Sequence, residues 1–181
     1  MPSKKKGGND RKSTLDTKKD VAKEGKEATE NDDLAQKKAD FFFLFFDSLD
    51  QFCEKRKELD SLLKDAFFNL LEVRKSLGAA EVTPLKFNLN KMQPLLSFHA
   101  DEAHDEETGV SYLEFSSAPT EAAKDKALDP TKWYGLLPPP ALRQAQAKFR
   151  QALQICLELA THQSKMSVAE SHYSELAKVE E

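Results

Sequence analysis

Two histidines and four carboxylates crowd into eight residues, His99, Asp101, Glu102, His104, Asp105 and Glu106. Imidazole and carboxylate both ligate metal ions, so a metal-assisted hydrolytic centre is the first chemistry to weigh. The spacing argues against it. Five positions from one histidine to the next do not put both rings on one helical face, and a run so rich in acids reads as a solvated loop. The candidate nucleophiles are Cys53 and Cys156. Neither has a histidine in helical register, which a Cys-His pair would need, and two cysteines make neither a disulfide framework nor a zinc spacing. They fall on or beside apolar seams, where cysteine serves as a small apolar residue. The chain contains no phosphate-cradling glycine loop, nucleophile elbow or zincin spacing. The residues therefore read as non-enzymatic, with no catalytic group, no metal and no cofactor.

The elements that would position any site are helical. Charged residues make up 32% of the chain, and Gly and Pro together number 14 of 181, which suits long solvated helices better than a loop-rich fold. Counting alternately three and four from Phe42 gives Phe42, Phe45, Leu49, Phe52, Arg56, Leu59, Leu63, Ala66, Leu70, Val73 and Leu77. That is a heptad seam with Arg56 as its one charge, a residue able to fix register or partner choice. Gly78 ends it where a left-handed residue would stop a helix. A second seam opens after Pro138-Pro139-Pro140 and runs Leu142, Ala145, Phe149, Ala152, Cys156, Leu159, Gln163 and Met166, weakening beyond. The expected architecture is mainly α: a long antiparallel helical hairpin or coiled coil, with a structured connector and a disordered N-terminal tail.

The divisions follow composition. Residues 1–38 form a mixed-charge tail of 11 basic and 8 acidic residues with almost nothing apolar to bury. Residues 39–78 are the first coiled-coil helix, 79–137 the connector and 138–181 the second helix. Within the connector, Leu85, Phe87 and Leu89 alternate with polar residues, and Val110, Tyr112, Leu113 and Phe115 could supply a partner strand, so a short β-hairpin is expected. Residues 99–108 are then its exposed loop. Trp133-Tyr134-Gly135-Leu136 is a compact apolar turn just before the second helix, and Gly135 gives it freedom to bend. The body beyond residue 38 carries a net charge of -7 against the tail's +3, which disfavours nucleic-acid binding by the folded part. The longest apolar run, Phe41–Phe46, is too short to span a membrane.

The apolar stripe of the first helix is wider than a two-helix contact needs. Phe46, Cys53, Phe67 and Phe68 flank the seam on one side, and Phe41 and Leu62 on the other. A partner protein is the natural cover for the surplus.

Certain blocks carry a resemblance. Phe67-Phe68-Asn69-Leu70 with Arg74 and Gly78 forms one, and Pro84-Leu85 with Met92 a second. Trp133-Tyr134-Gly135-Leu136 with Pro138 forms a third, followed by Leu142-Arg143-Gln144-Ala145-Gln146 with Phe149. Spread over about residues 40–160, these resemble the vacuolar-type ATPase assembly factor family. The resemblance implies a peripheral protein on the cytosolic face of the endoplasmic reticulum, extending to the early secretory pathway and endosomes. Such a protein has no membrane span of its own and no nucleic-acid partner. It pairs with a membrane-anchored assembly factor and with membrane-sector subunits of the proton pump as a hetero-oligomer, and it leaves the finished pump. The residues expected to bind that partner or to anchor the structure are Arg56, Phe46, Phe67, Phe68, Trp133, Tyr134, Leu136, Leu142 and Phe149. A prefoldin-like chaperone subunit, with two long helices flanking a β-hairpin, and a generic coiled-coil scaffold are the alternatives.

Overall fold

The computed structural model describes residues 13–78, 80–83, 85, 89–106, 108–125, 128–135 and 137–178. Helix α1 (Ser13–Leu77) and helix α2 (Pro140–Lys178) run antiparallel, joined through strands β1 (Leu96–His104) and β2 (Ser111–Pro119). Three contacts set their register. Phe41 stacks on His172 with ring centroids 5.2 Å apart, the Lys55 ammonium lies 2.8 Å from Glu158, and Lys148 lies 3.0 Å from Asp65. In each pair the two residue numbers total 213, so one register holds from Phe41 to Asp65. It places Lys178, the end of α2, opposite residue 35 of α1.

Helix α1 reaches back to Ser13, past the residue-39 boundary that the seam suggested. Apolar packing does not account for the extra length, since the register leaves it beyond the end of α2. Intrinsic propensity does: the segment is rich in Lys, Glu and Ala, contains no proline, and includes a single glycine, Gly25. The other ends fall where the punctuation put them. Gly78 adopts φ 96 and its N–H bonds the Arg74 carbonyl at 3.1 Å, while Pro140 opens α2, where its missing N–H costs nothing.

The core lies between the helices, and it corrects the phase of both seams. Leu59, Ala152, Ile155 and Leu159 form the buried cluster, with Phe52, Leu62 and Leu63 packed against it. On α1 the inward positions are Phe45, Phe52, Leu59, Ala66 and Val73 together with Ser48, Lys55, Leu62 and Asn69. From Phe45 the count therefore runs three then four, where the expected seam ran four then three. Phe42 and Arg56, taken as seam residues, are exposed, and the Arg56 side chain, 62% exposed, pairs along its own helix with Asp60 at 3.6 Å. On α2, Ile155 and His162 turn inward where Cys156 and Gln163 were expected. Both cysteines are exposed, so neither fills the seam between α1 and α2. The physical reason is that a seven-residue repeat through Phe45, Phe52 and Leu59 can be completed on either side. At position 48 a buried serine, 2% exposed, won over the flanking Leu49 because tertiary packing chose the side.

His162, now an inward residue, has a buried Nδ1 with no hydrogen-bond partner. Burial pushes its pKa below the ordinary 6.5, the Lys165 and Lys55 ammoniums push the same way, and Glu158 and Asp47 push back. The folded imidazole therefore resists protonation more than the unfolded one. Stability is level above about pH 6.5 and falls as pH drops below it, because the unfolded chain then binds the extra proton. The expected outcome is a lower melting temperature at pH 5.5 than at pH 7.5, with the difference reduced in His162→Gln; an unchanged difference in that variant would assign the pH dependence to other groups.

A β-hairpin is present, but its first strand is not Leu85–Leu89. Leu85 is almost fully exposed, residues 86–88 lie outside the described residues, and β1 occupies 96–104, most of what read as an acidic loop. Leu96 faces Pro119 and His104 faces Ser111 across the ribbon. A two-stranded ribbon leaves much of its surface in water, so Asp101 and Glu102 sit on it without cost and the strand lacks apolar alternation. The true turn is shorter. The Asp105 carboxylate accepts the Thr108 N–H at 3.0 Å and the Thr108 hydroxyl at 2.8 Å, and Gly109 takes φ 68.

The outer edge of β2 is covered by α2 through side chains. The N–H of Leu113 donates to Ser164 Oγ at 2.9 Å, and that of Phe115 to Thr161 Oγ1 at 3.0 Å. Ser117 Oγ adds a bond to Gln154 at 3.3 Å. Alternate strand residues thus meet hydroxyls one helical turn apart, which docks the ribbon and blocks further pairing on that edge.

Candidate interaction surface

The connector returns to α2 through a polar clamp at Asp129. Asp129 caps the 3-10 turn Pro130–Tyr134, accepting the Thr131 N–H at 3.1 Å, and it also accepts the Gln146 amide of α2 at 2.9 Å. Burial disfavours the Asp129 carboxylate, but hydrogen bonds from the Thr131 N–H, the Gln146 amide and the Thr131 hydroxyl outweigh it, with Arg150 adding to them, and hold its pKa below the ordinary carboxylate value. Sequence reasoning missed this residue, although Asp129-Pro130 is a turn-initiating dipeptide and Gln146 stands in a block already singled out. Asp129→Ala removes a cap and leaves Gln146 without its acceptor, so a loss of about 1 to 2 kcal/mol is expected. Thermal melts at pH 7 would check it, and a change within experimental error would show the clamp to be incidental.

Beside the clamp lies an apolar groove of about 500 Å³. Leu96 and Phe98 of β1 form one wall, Tyr134 of the turn the end, and Leu142, Phe149 and Leu153 of α2 with Leu70 of α1 the floor. Leu96 and Phe98 share a face because they are two apart on a strand. Leu142, Phe149 and Leu153 share one because they lie at helical spacing. Phe67 extends the floor by an edge-to-face contact with Phe149, centroids 5.2 Å apart. Arg150 is the charged group among the lining residues. Phe98 of the groove and the neighbouring Phe67 are exposed, as are Phe68 and Leu71, which line a second hollow with Phe67 on α1, and exposed apolar surface of this kind marks a site for another macromolecule.

The structure brings together part of the expected set. Tyr134, Leu142 and Phe149 line the groove and Phe67 abuts it, with Phe68 exposed alongside on α1. Leu142 is buried, Trp133 and Tyr134 are half-buried, Gly135 has φ 125, and Leu136 lies outside the described residues. Burial raises the Tyr134 phenol above its ordinary pKa, in keeping with a ring that packs rather than ionises. Phe46 and Arg56 are elsewhere. Phe46 belongs to an aromatic cluster about 31 Å along α1 from Phe67, where its ring lies 4.5 Å from that of Phe42.

The histidines do not form a centre. On a strand, positions 99 and 104 point to opposite faces; His99 Nε2 lies 3.1 Å from Ser97 Oγ and His104 Nδ1 lies 2.9 Å from Ser111 Oγ. Among the described residues no group of three or more His, Cys, Asp or Glu side chains could hold a metal ion, and no helix is long and apolar enough to cross a membrane.

No family model matches the chain. Curated relatives do. The chain is 31% identical over 154 residues to the vacuolar ATPase assembly protein VMA22 of Mus musculus, covering 72% of this chain and 83% of that protein. It is 30% identical over 133 residues to the protein of the same name in Homo sapiens, covering 62% and 73%. The Bos taurus protein of that name is 29% identical over 149 residues, covering 71% and 82%. Identity at this level across most of the mouse protein's length establishes kinship: the chain belongs to the family of the vacuolar ATPase assembly protein VMA22.

Proposed function

We propose that the chain is a non-enzymatic assembly chaperone for the membrane sector of the vacuolar-type proton-pumping ATPase. It acts at the cytosolic face of the endoplasmic reticulum, through coiled-coil pairing with a membrane-anchored assembly partner. The observation that carries this reading is the relationship to relatives named for vacuolar ATPase assembly, which spans 83% of the mouse protein. The groove supports it physically. Unassembled subunits expose apolar surface that must be shielded until its permanent neighbour arrives, and an apolar concavity ringed by exposed aromatics shields without chemistry. Adaptable rim side chains such as Phe67 and Phe98 give a contact that can also be released.

The test is affinity purification of the tagged chain from detergent-solubilised membranes, with partners identified by mass spectrometry. One integral membrane assembly factor together with membrane-sector subunits is the expected catch; their absence would sink the reading. The prefoldin-like alternative draws on one observation, the hairpin between two long helices. It requires like chains to join through their hairpins, so capture of related coiled-coil chains alone would favour it.

A further inference from the structure

The α1 positions along the flank of the α1–α2 contact make a second seam, in which Leu49, Leu63 and Leu70 are half-buried and the others exposed. Phe42, Phe46, Leu49 and Cys53 begin it, and Leu63, Phe67 and Leu70 continue it, at four-three spacing over about 42 Å. Phe46 is 49% exposed and Phe67 58%. At its centre stand Arg56 and Asp60, each more than half exposed. The Phe67–Phe149 contact puts this seam on the same side of the molecule as the exposed Leu153 and Cys156 of α2.

We propose that the second seam is occupied by a second copy of the chain, α1 against α1, antiparallel, about a two-fold axis beside residue 58. The argument is self-complementarity. With facing residue numbers totalling 116, Phe46 meets Leu70 of the second copy, Leu49 meets Phe67 and Cys53 meets Leu63. Arg56 meets Asp60, and by symmetry Asp60 meets Arg56, so the only charges in the seam pair with each other. On the exposed flank, where the facing numbers are offset and total 114, Asp50 meets Lys64 and Phe43 meets Leu71. Lys57, on the axis, is the one like-charge encounter. The competing arrangements are worse. A parallel pair sets Arg56 on Arg56 and Asp60 on Asp60. Sliding the antiparallel pair by one heptad sets Arg56 against Phe67 and Asp60 against Leu63, or Cys53 against Arg56 and Leu49 against Asp60, desolvating charge without compensation. Carried across the α1–α2 register, the same axis falls beside Ile155. It sets Leu153 opposite Leu157 of the second copy.

Self-association needs no membrane partner, so the inference can fail or hold independently of the pump-assembly reading; because Phe67, Leu70 and Leu153 also border the groove, the second copy and a groove-bound partner exclude one another. It is tested on the full chain by sedimentation equilibrium and by disulfide trapping. The wild type sediments as a dimer. Phe46→Ser weakens the dimer by about tenfold or more, Arg56→Asp does likewise, and Arg56→Asp with Asp60→Arg restores it. For trapping, the Cys156→Ser, Leu63→Cys chain is oxidised and its bonds are mapped. Cys53 and the new thiol at 63 lie ten residues, about 15 Å, apart on one helix, beyond disulfide reach within a chain, so a bond between them joins two copies. That bond is the expected product, and Cys156→Ser alone, with only Cys53, gives none. A monomer at all concentrations, a predominant Cys53–Cys53 bond, or no rescue by the charge swap would each overturn the proposal.

Discussion

Replacing Leu59 by alanine is expected to cost about 3 kcal/mol, among the largest single losses the fold can suffer. Leu59 is 6% exposed and lies at the centre of the buried cluster with Ala152, Ile155 and Leu159. Truncation loses the transfer free energy of the removed carbons and leaves a cavity that two helices, already pinned at Lys55–Glu158 and Asp65–Lys148, cannot collapse to fill. The cost is large relative to the whole because the described core is a single layer between two helices, backed by a two-stranded ribbon docked along α2 through hydroxyl groups. Urea denaturation of wild type and variant at pH 7 measures it. A loss below about 1 kcal/mol would mean that the seam relaxes freely and is not packed as described. Leu49→Ala, at a half-buried position beside the seam, should cost distinctly less.

Phe98→Asp is expected to abolish partner capture while leaving the fold intact. Phe98 is 55% exposed, so its loss opens no cavity. Its ring nevertheless forms the strand wall of the groove. If the groove holds an apolar segment of the partner, a carboxylate there must be desolvated against Leu142, Phe149 and Leu153, and an aromatic anchor is lost at the same time. Together these put the penalty at about 2 to 4 kcal/mol, or roughly thirtyfold to a thousandfold in affinity. The check pairs affinity purification with a thermal melt. Undiminished recovery of partners with an unchanged melt would remove the groove from the interface, whereas a lowered melt would make Phe98 a structural residue.

The same side chains explain why some of this was legible in sequence and some was not. A seven-residue apolar repeat is visible in composition alone, because Phe45, Phe52, Leu59, Ala66 and Val73 must share a helical face whatever packs on them. Helix ends at Gly78 and Pro140 are equally local, since a left-handed residue and a missing N–H act within one turn. The strand at 96–104 could not. Its acids and histidines sit on a ribbon held in place by hydroxyls of Thr161 and Ser164, residues some fifty positions away with no mark of their role.

Period, then, is a property of the chain, and phase is a property of the fold. The spacing of apolar residues determined that both long segments are helices with heptad faces, because burial repeats with the helix. Which face was used depended on what lay opposite. α2 took the side bearing Ser48, Lys55 and Asn69 and left Phe42, Phe46 and Phe67 in the open. Lys55 could turn inward because Glu158 of the other helix receives it at 2.8 Å, an interaction with no signature along either sequence. The groove has the same origin: Leu96, Tyr134, Leu142 and Leu70 are ordinary apolar residues on four separate elements, gathered around one cavity by the helix register, the docking of the ribbon on α2 and the clamp between Asp129 and Gln146.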